Sequence, residues 1–339
     1  MKVCHFAATP GLGRGEAFVE IANAMAAKAP TSLLVPAHSL FLERVVPEVD
    51  TVTYKHQGSR RNLFMLCELY RFFRKRKPDL VHTHFGKATS IFSSLNRFLG
   101  IPHLATKHNP RKGRAFEKLS HVTTVSSDAA RSIQNPQVSV AVIRNGMNPE
   151  GSEPPADYVP PRPFPILAVG RLDPIKGFDR LIEEVAKLSF EYHLTFAGDG
   201  EERDRLKELA QRLLPPDSYS FLGFRTDVPD LMNEAALVVS SSHSEGCPMS
   251  MIEAFFHGNA LLSTPVGEAA SLLPPEFLCP GSKLAEGITT IHDDYQAMRD
   301  RFRAFAAKTA PLFTATTVVD QYLAAYERVL AEEPFDPLD

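Results

Sequence analysis

No tryptophan occurs in the 339 residues, cysteine occurs four times, and no apolar run approaches the length of about 18 residues that reads as a membrane span. Cys4, Cys67, Cys247 and Cys279 stand far apart, with no C-x-x-C pair and no Cys/His cluster at zinc spacing. They read as reduced thiols, not as a disulfide framework or a metal site. No secretory leader is expected either, since Met1-Lys2-Val3-Cys4-His5-Phe6 reads as a strand-like run. These absences point to a cytoplasmic chain. Gly11, Gly13 and Gly15 miss the G-x-G-x-x-G spacing, and no acidic residue is well placed about 20 residues on, which argues against a nicotinamide dinucleotide site. The basic residues of the first half are not interleaved with stacking aromatics, so nucleic acid is not the expected partner.

What is present is an ordinary globular composition, 44% hydrophobic and 23% charged, long enough for two domains of about 150 residues each. Net charge is −3 but unevenly divided. Residues 1–150 hold 21 Lys and Arg against 10 Asp and Glu, a balance of +11; the remainder holds 16 against 30, a balance of −14. The front half is expected to prefer an anionic partner.

Short strands and helices alternate along the chain, which predicts α/β architecture with doubly wound parallel sheets. The first strand, near Lys2 to Ala7, leads into a glycine-bearing loop and a helix from Ala17. A helix from about Leu63 to Arg76 ends in Arg74, Lys75 and Arg76; with Arg60, Arg61, Phe72 and Phe73 it suggests contact with an anionic membrane surface. The strand Asp79–His84 empties into Phe85-Gly86, and a small-residue helix is expected from Ala88. His82 and His84, two apart on one strand, share a face, but as a metal pair they lack a third ligand, so a structural or substrate-positioning role is expected. Strand Pro102–Thr106 ends in Lys107-His108-Asn109-Pro110 and a basic loop. Ligands of open α/β sheets collect at such carboxyl ends.

Seven prolines between Pro149 and Pro165 mark an interdomain linker. A second α/β pattern follows, with strand ends at Gly170-Arg171-Leu172-Asp173-Pro174-Ile175-Lys176-Gly177, at Gly198-Asp199-Gly200, at Leu222-Gly223-Phe224 and at Ser240–Phe256. Two such halves are expected to leave a ligand cleft between them. The last stretch carries the sharpest chemistry. Glu245 lies in a loop, Pro248 opens a helix, and Glu253 sits about a turn and a half inside it. The free amides from Cys247 to Ser250, including Met249, crown the helix N-terminus, where an anion is favoured. Carboxylates take sugar or ribose hydroxyls, and amides take phosphate oxygens. Arg171 and Lys176 can place two cations on one diphosphate. The ligand described is a nucleotide diphospho-sugar.

With G-R-L-D-P-I-K-G at 170–177, A-G-D-G at 197–200, L-G-F at 222–224 and Glu245 eight residues before Glu253, the chain resembles the GT-B glycosyltransferases of family 4 over nearly its whole length. V-H-T-H at 81–84, T-K-H-N at 106–109, V-S at 125–126 and R-N-G at 144–146 are weaker echoes. The resemblance implies two Rossmann-like domains facing a cleft. Residues 1–150 would form an acceptor domain joined by a C-terminal helix about 312–331 crossing back, 151–165 a linker, and 166–311 the donor domain. It also implies catalytic roles for His108, Glu245, Arg171 and Lys176, with Arg171 and Lys176 on the donor diphosphate, Glu253 on the ribose and Glu245 on the transferred sugar. Donor contacts would come from Gly13, Gly15, Gly170, Gly198, Gly223, Gly246, Cys247, Pro248, Met249 and Ser250; acceptor contacts would come from His82, His84, Lys107 and Asn109. Two departures stand out: Arg14 replaces a glycine, and Val266-Gly267-Glu268 lacks the usual glycine pair.

The activity implied is retaining transfer of a hexose from a UDP-sugar to a hydroxyl of an anionic glycan or glycolipid, as in lipopolysaccharide or cell-surface polysaccharide synthesis. No cofactor and no metal are expected, and no D-x-D motif is present. A peripheral place on the inner face of the cytoplasmic membrane is expected. A nucleotide-sugar epimerase and a non-catalytic sugar-nucleotide binder are the competing readings.

Overall fold

The computed structural model describes residues 1–9, 17–111 and 113–336. In chain order the strands and helices are β1 (Val3–Ala7), α1 (Ala17–Ala26), β2 (Thr31–Pro36), β3 (Asp50–Tyr54), α2 (Leu63–Arg76), β4 (Leu80–His84), α3 (Phe85–Asn96), β5 (His103–Lys107), β6 (His121–Thr124), α4 (Ser127–Arg131) and β7 (Ser139–Val142). They continue as β8 (Phe164–Val169), α5 (Phe178–Val185), β9 (Tyr192–Ala197), α6 (Arg203–Leu213), β10 (Tyr219–Gly223), α7 (Val228–Glu234), β11 (Leu237–Ser240), α8 (Met249–His257), β12 (Leu261–Ser263), α9 (Glu268–Leu272), α10 (Leu284–Asp293), α11 (Tyr295–Thr309) and α12 (Ala315–Leu330). No helix among the described residues is long and apolar enough to cross a membrane.

The chain divides into two compact units, Met1–Asn148 with Leu312–Asp339, and Pro149–Pro311. In the first, seven strands pair in the order β3-β2-β1-β4-β5-β6-β7, each neighbouring pair parallel. Every residue of β1 and β4 is buried, as expected for strands covered on both faces. The direction of winding reverses between β1 and β4, whose register sets His5 beside His82.

One face of this sheet is closed by α12. Thr314 caps the helix by accepting from the Thr317 amide, and Val318, Val319, Tyr322 and Tyr326 recur at helical spacing against Val3, Ile21, Leu80 and Leu104. The returning segment brings six carboxylates and one arginine. Unit 1 therefore holds 22 Lys and Arg against 15 Asp and Glu, a balance of +7 and not the +11 of residues 1–150.

The second unit carries five parallel strands in the order β10-β9-β8-β11-β12, winding outward in both directions from β8 and β11. The proline-rich stretch expected as a linker is fastened to this unit. The buried Arg299 guanidinium donates to the Pro155 carbonyl and, at 2.9 Å, to that of Ala156, and the Tyr158 hydroxyl donates to the Glu234 carbonyl at 2.7 Å. Prolines supply no N–H groups, but their carbonyls still need donors, and side chains such as that of Arg299 on α11 help to meet that need.

Two other expectations shift. The helix expected from Ala88 begins at Phe85, directly off the end of β4. Of the aromatics offered as a membrane contact, Phe73 is fully buried and Phe72 packs on the core; the exposed apolar side chains are instead Leu63 and Phe64, at the start of α2.

Candidate active site

In unit 2 the chemistry gathers where the sheet changes winding direction, at the carboxyl ends of β8 and β11, the position at which open α/β sheets bind ligands. Lys176, in the loop after β8, donates to Glu245 Oε1, in the loop after β11, at 2.7 Å. The Ser242 hydroxyl donates to the same oxygen at 2.7 Å. The two loops are joined through backbone groups as well. Ser241 Oγ donates to the Lys176 carbonyl at 2.9 Å. The His243 amide donates to the Ile175 carbonyl at 2.8 Å, a backbone bond that ties the loops whatever their side chains do. Arg171 is held by Asp173, its Nε donating to Oδ2 at 2.6 Å. Both cations expected on the diphosphate thus have carboxylate partners in the free protein.

The glycines of these loops have a packing reason. Gly198 has φ +155°, and a Cβ there would lie 1.8 Å from the Gly170 carbonyl oxygen; Gly177 has φ +61°, and its Cβ would lie 2.4 Å from the Ser241 oxygen. Close approach of loop to loop already requires glycine at both places. Gly223 receives the Gly198 amide on its carbonyl at 2.8 Å, and Gly246 receives that of Glu268 at 2.7 Å. Cys247 and Pro248 are buried, Met249 and Ser250 form the first turn of α8, and Glu253 is half-buried on that helix. Gly13 and Gly15 lie outside the described residues.

Unit 1 holds a cavity of about 560 Å³ beside the carboxyl ends of β4 and β5 and the first turn of α3. Seven cations line it, Arg60, Lys87, Arg97, Lys107, Arg111, Arg114 and Lys118, and no Asp or Glu is among the described residues that line it. The first turn of α3 has no acidic residue and no side-chain cap. Coulomb attraction and the helix end both favour an anion here. His108 and Asn109 line the cavity. Lys107 does too, but its ammonium turns to the Asn109 carbonyl at 2.6 Å and to the Ser132 hydroxyl, and burial brings its pKa down to about 8.

His82 and His84, expected as acceptor contacts, are not among the residues that line this cavity. Both are fully buried. His82 bonds Tyr326 through Nδ1 at 2.7 Å and Thr106 through Nε2 at 2.6 Å; His84 bonds His108 through Nδ1 at 3.3 Å and His5 through Nε2 at 3.0 Å. His5 was missed in the sequence, because nothing local to β1 distinguishes its histidine and only the β1–β4 register brings it to His82. It supplies the third ring that a metal site lacked, with nitrogens of His5, His82 and His84 within 4.8 Å of one another. Yet both nitrogens of His82 and both of His84 are engaged within the protein, and only His5 Nε2 has no partner among the described residues. The set offers one open lone pair and no carboxylate to neutralise a cation.

Residues 156–309 match the family described as Glycosyl transferases group 1, and residues 15–150 match that described as Glycosyltransferase Family 4. The chain belongs to glycosyltransferase family 4. Along 98% of its length and the whole of the relative's, this glycosyltransferase is 24% identical to the lipopolysaccharide core biosynthesis glycosyltransferase LpsD of Rhizobium meliloti. A stretch of 128 residues, 36% of each chain, is 31% identical to an uncharacterised glycosyltransferase of Haemophilus influenzae. The solved structure of Anabaena HepE in complex with UDP-glucose superposes with a TM-score of 0.82 at 19% identity, over 96% of this chain and 99% of the other. The fold is GT-B.

Proposed function

We propose that this glycosyltransferase moves a hexose from a UDP-sugar to a hydroxyl of an anionic glycan or glycolipid, with retention of anomeric configuration and without a metal ion. Unit 2 takes the donor. Its Lys176–Glu245 pair stands where open sheets bind ligands, and the Anabaena structure with UDP-glucose supports this choice of nucleotide. The C1–oxygen bond to the diphosphate breaks, the acceptor oxygen bonds C1 on the same face, and the acceptor proton ends on the departing phosphate. Arg171, Lys176 and the α8 amides offset the negative charge that grows on the leaving group, which is the largest electrostatic demand of the step.

Unit 1 takes the acceptor. The observation that carries this reading is the cavity with seven cations and no carboxylate among its described lining residues, which favours an acceptor bearing negative charge. Similarity to the Rhizobium meliloti LpsD supports an acceptor of the lipopolysaccharide type. Contact with an anionic membrane surface would run through α2, where Leu63 and Phe64 stand exposed beside Arg60 and Arg61.

The test is a panel of UDP-, GDP- and ADP-sugars with EDTA present, scored for nucleotide release and for sugar transfer to phosphorylated and dephosphorylated core oligosaccharide. Transfer from a UDP-sugar, faster to the phosphorylated acceptor, is expected. Equal rates with both acceptors would overturn the anionic acceptor, and a strict requirement for divalent metal would overturn the metal-free mechanism. Interconversion of donors without transfer would indicate an epimerase.

A further inference from the structure

From the cavity wall a file of three histidines runs into the core of unit 1. His108 Nε2 meets His84 Nδ1 at 3.3 Å, and His84 Nε2 meets His5 Nδ1 at 3.0 Å. At the inner end His5 Nε2 is buried with no partner among the described residues. At the outer end His108 lines the cavity, with its Nε2 on His84, and its Nδ1 has no hydrogen-bond partner among the described residues. Phe85 stacks on the His108 ring with centroids 4.3 Å apart, and Phe18 stacks on His84 at 5.1 Å, so both rings are buttressed by a neighbouring aromatic face.

A neutral imidazole carries one ring proton, and its other nitrogen accepts. Burial keeps these rings neutral: it lowers the pKa of His5 and of His108 to about 3 and that of His84 well below its ordinary value, with neighbouring histidines adding to the effect on His84. One proton per ring leaves two arrangements in which both links are made. With every ring protonated on Nδ1, His5 donates to His84, His84 donates to His108, and His108 keeps an Nδ1–H for the cavity. With every ring protonated on Nε2, the direction reverses, and the chain ends inside on a buried N–H that has no acceptor among the described residues.

The two ends decide between them. Orphaned N–H groups in protein interiors are rarer than under-satisfied acceptors. At the other end, a cavity lined by seven cations draws ligands rich in acceptor oxygens, which a lone pair on His108 would repel and an N–H would bind. We propose that His5 and His84 are positioning residues whose hydrogen-bonded chain sets His108 as the Nδ1–H tautomer and so presents a neutral donor to an oxygen of the substrate. Only the identity of that oxygen rests on the transfer reading above; the tautomer is a property of the free protein.

Two measurements on the full chain separate these levels. Long-range proton–nitrogen correlations of histidine-labelled protein at neutral pH read which His108 nitrogen carries the proton, and donor kinetics read the consequence. Wild type is expected to show Nδ1–H. His84→Leu removes the partner of His108 Nε2 and is expected to shift the ring toward Nε2–H and lower kcat about tenfold, the loss of one neutral hydrogen bond, with little change in donor KM. His84→Asn places an amide N–H where His84 Nδ1–H stood, so it is expected to restore both the tautomer and most of kcat.

An Nε2–H His108 in wild type would overturn the proposal, as would a tautomer indifferent to His84→Leu in protein that keeps its cooperative melting. If His84→Leu fails to fold, His5→Leu against His5→Asn makes the same comparison one ring further in. Stoichiometric zinc that shifts the ring signals of His5, His82 and His84 together would make the cluster a metal site and also overturn it. A wild type with the Nδ1–H tautomer and no transfer from any donor would leave the chain intact and sink the transfer reading alone.

Discussion

At the scale of single residues, Lys176 and Glu245, the pair proposed for the donor site, are bonded to each other. Their carboxylate–ammonium contact of 2.7 Å, with Ser242 on the same oxygen, neutralises the cation that a diphosphate would need. Binding must therefore exchange one anionic partner for another, or share the ammonium between them. Because the exchange involves charge-assisted bonds, Lys176→Met is expected to lower kcat/KM for the donor about a hundredfold. Steady-state kinetics with a thermal melt to confirm folding would check this, and an unchanged kcat/KM would remove Lys176 from the site. Spacing in the sequence puts each of these two residues at a strand end, but only the pairing of β8 with β11 brings them together.

At the scale of elements, α12 is the piece that completes unit 1. Gly146 passes so close to it that a Cβ there would lie 2.7 Å from Val318 Cγ2. Gly146→Ala is expected to cost about 1–3 kcal/mol by overpacking, measured by denaturant unfolding. Combined with Val318→Ala, which makes room, the total cost should fall below the sum of the two single changes; strict additivity would mean that the contact is absent. The other element with a testable face is α2. Leu63 and Phe64 are 73% and 75% exposed at its start, and Arg74 and Lys75 lie in its last turn. Sedimentation with phosphatidylglycerol vesicles should carry the protein down at low salt, release it at high salt, and weaken with Phe64→Ser. Equal binding to neutral vesicles would contradict a contact of this kind.

At the scale of the whole molecule, the buried histidines set how the fold responds to acid. His5, His82 and His84 are fully buried, and burial lowers the pKa of each below its ordinary value of 6.5, to about 3 for His5. Above pH 6.5 they are neutral both folded and unfolded, so they make no difference to stability. Below it the unfolded chain takes up protons that the folded protein refuses, so stability falls with pH until the folded pKa is reached. The slope is about 1.4 kcal/mol per pH unit for each such histidine. Melting temperature should therefore drop steeply from pH 6.5 to pH 5, and a single His5→Asn change should make the drop shallower by one histidine's share; a flat wild-type profile over that range would show that the rings protonate in place.

The sequence by itself determined the parallel α/β character, the motif-bearing loops of unit 2 and the class of chemistry. Buried parallel strands read as short apolar runs, and the functional residues sit directly after them, so both signals are local. Tertiary structure alone decided the rest. His5 joins His82 and His84 through strand register, Tyr322 and Tyr326 reach Thr106 and His82 from more than two hundred residues away, and the cation-lined cavity brings Arg60 and Lys118 together with Lys87 and Arg97 at the two ends of α3. Contacts of that kind depend on which strands pair and which helix returns, and periodicity along a chain carries no record of either.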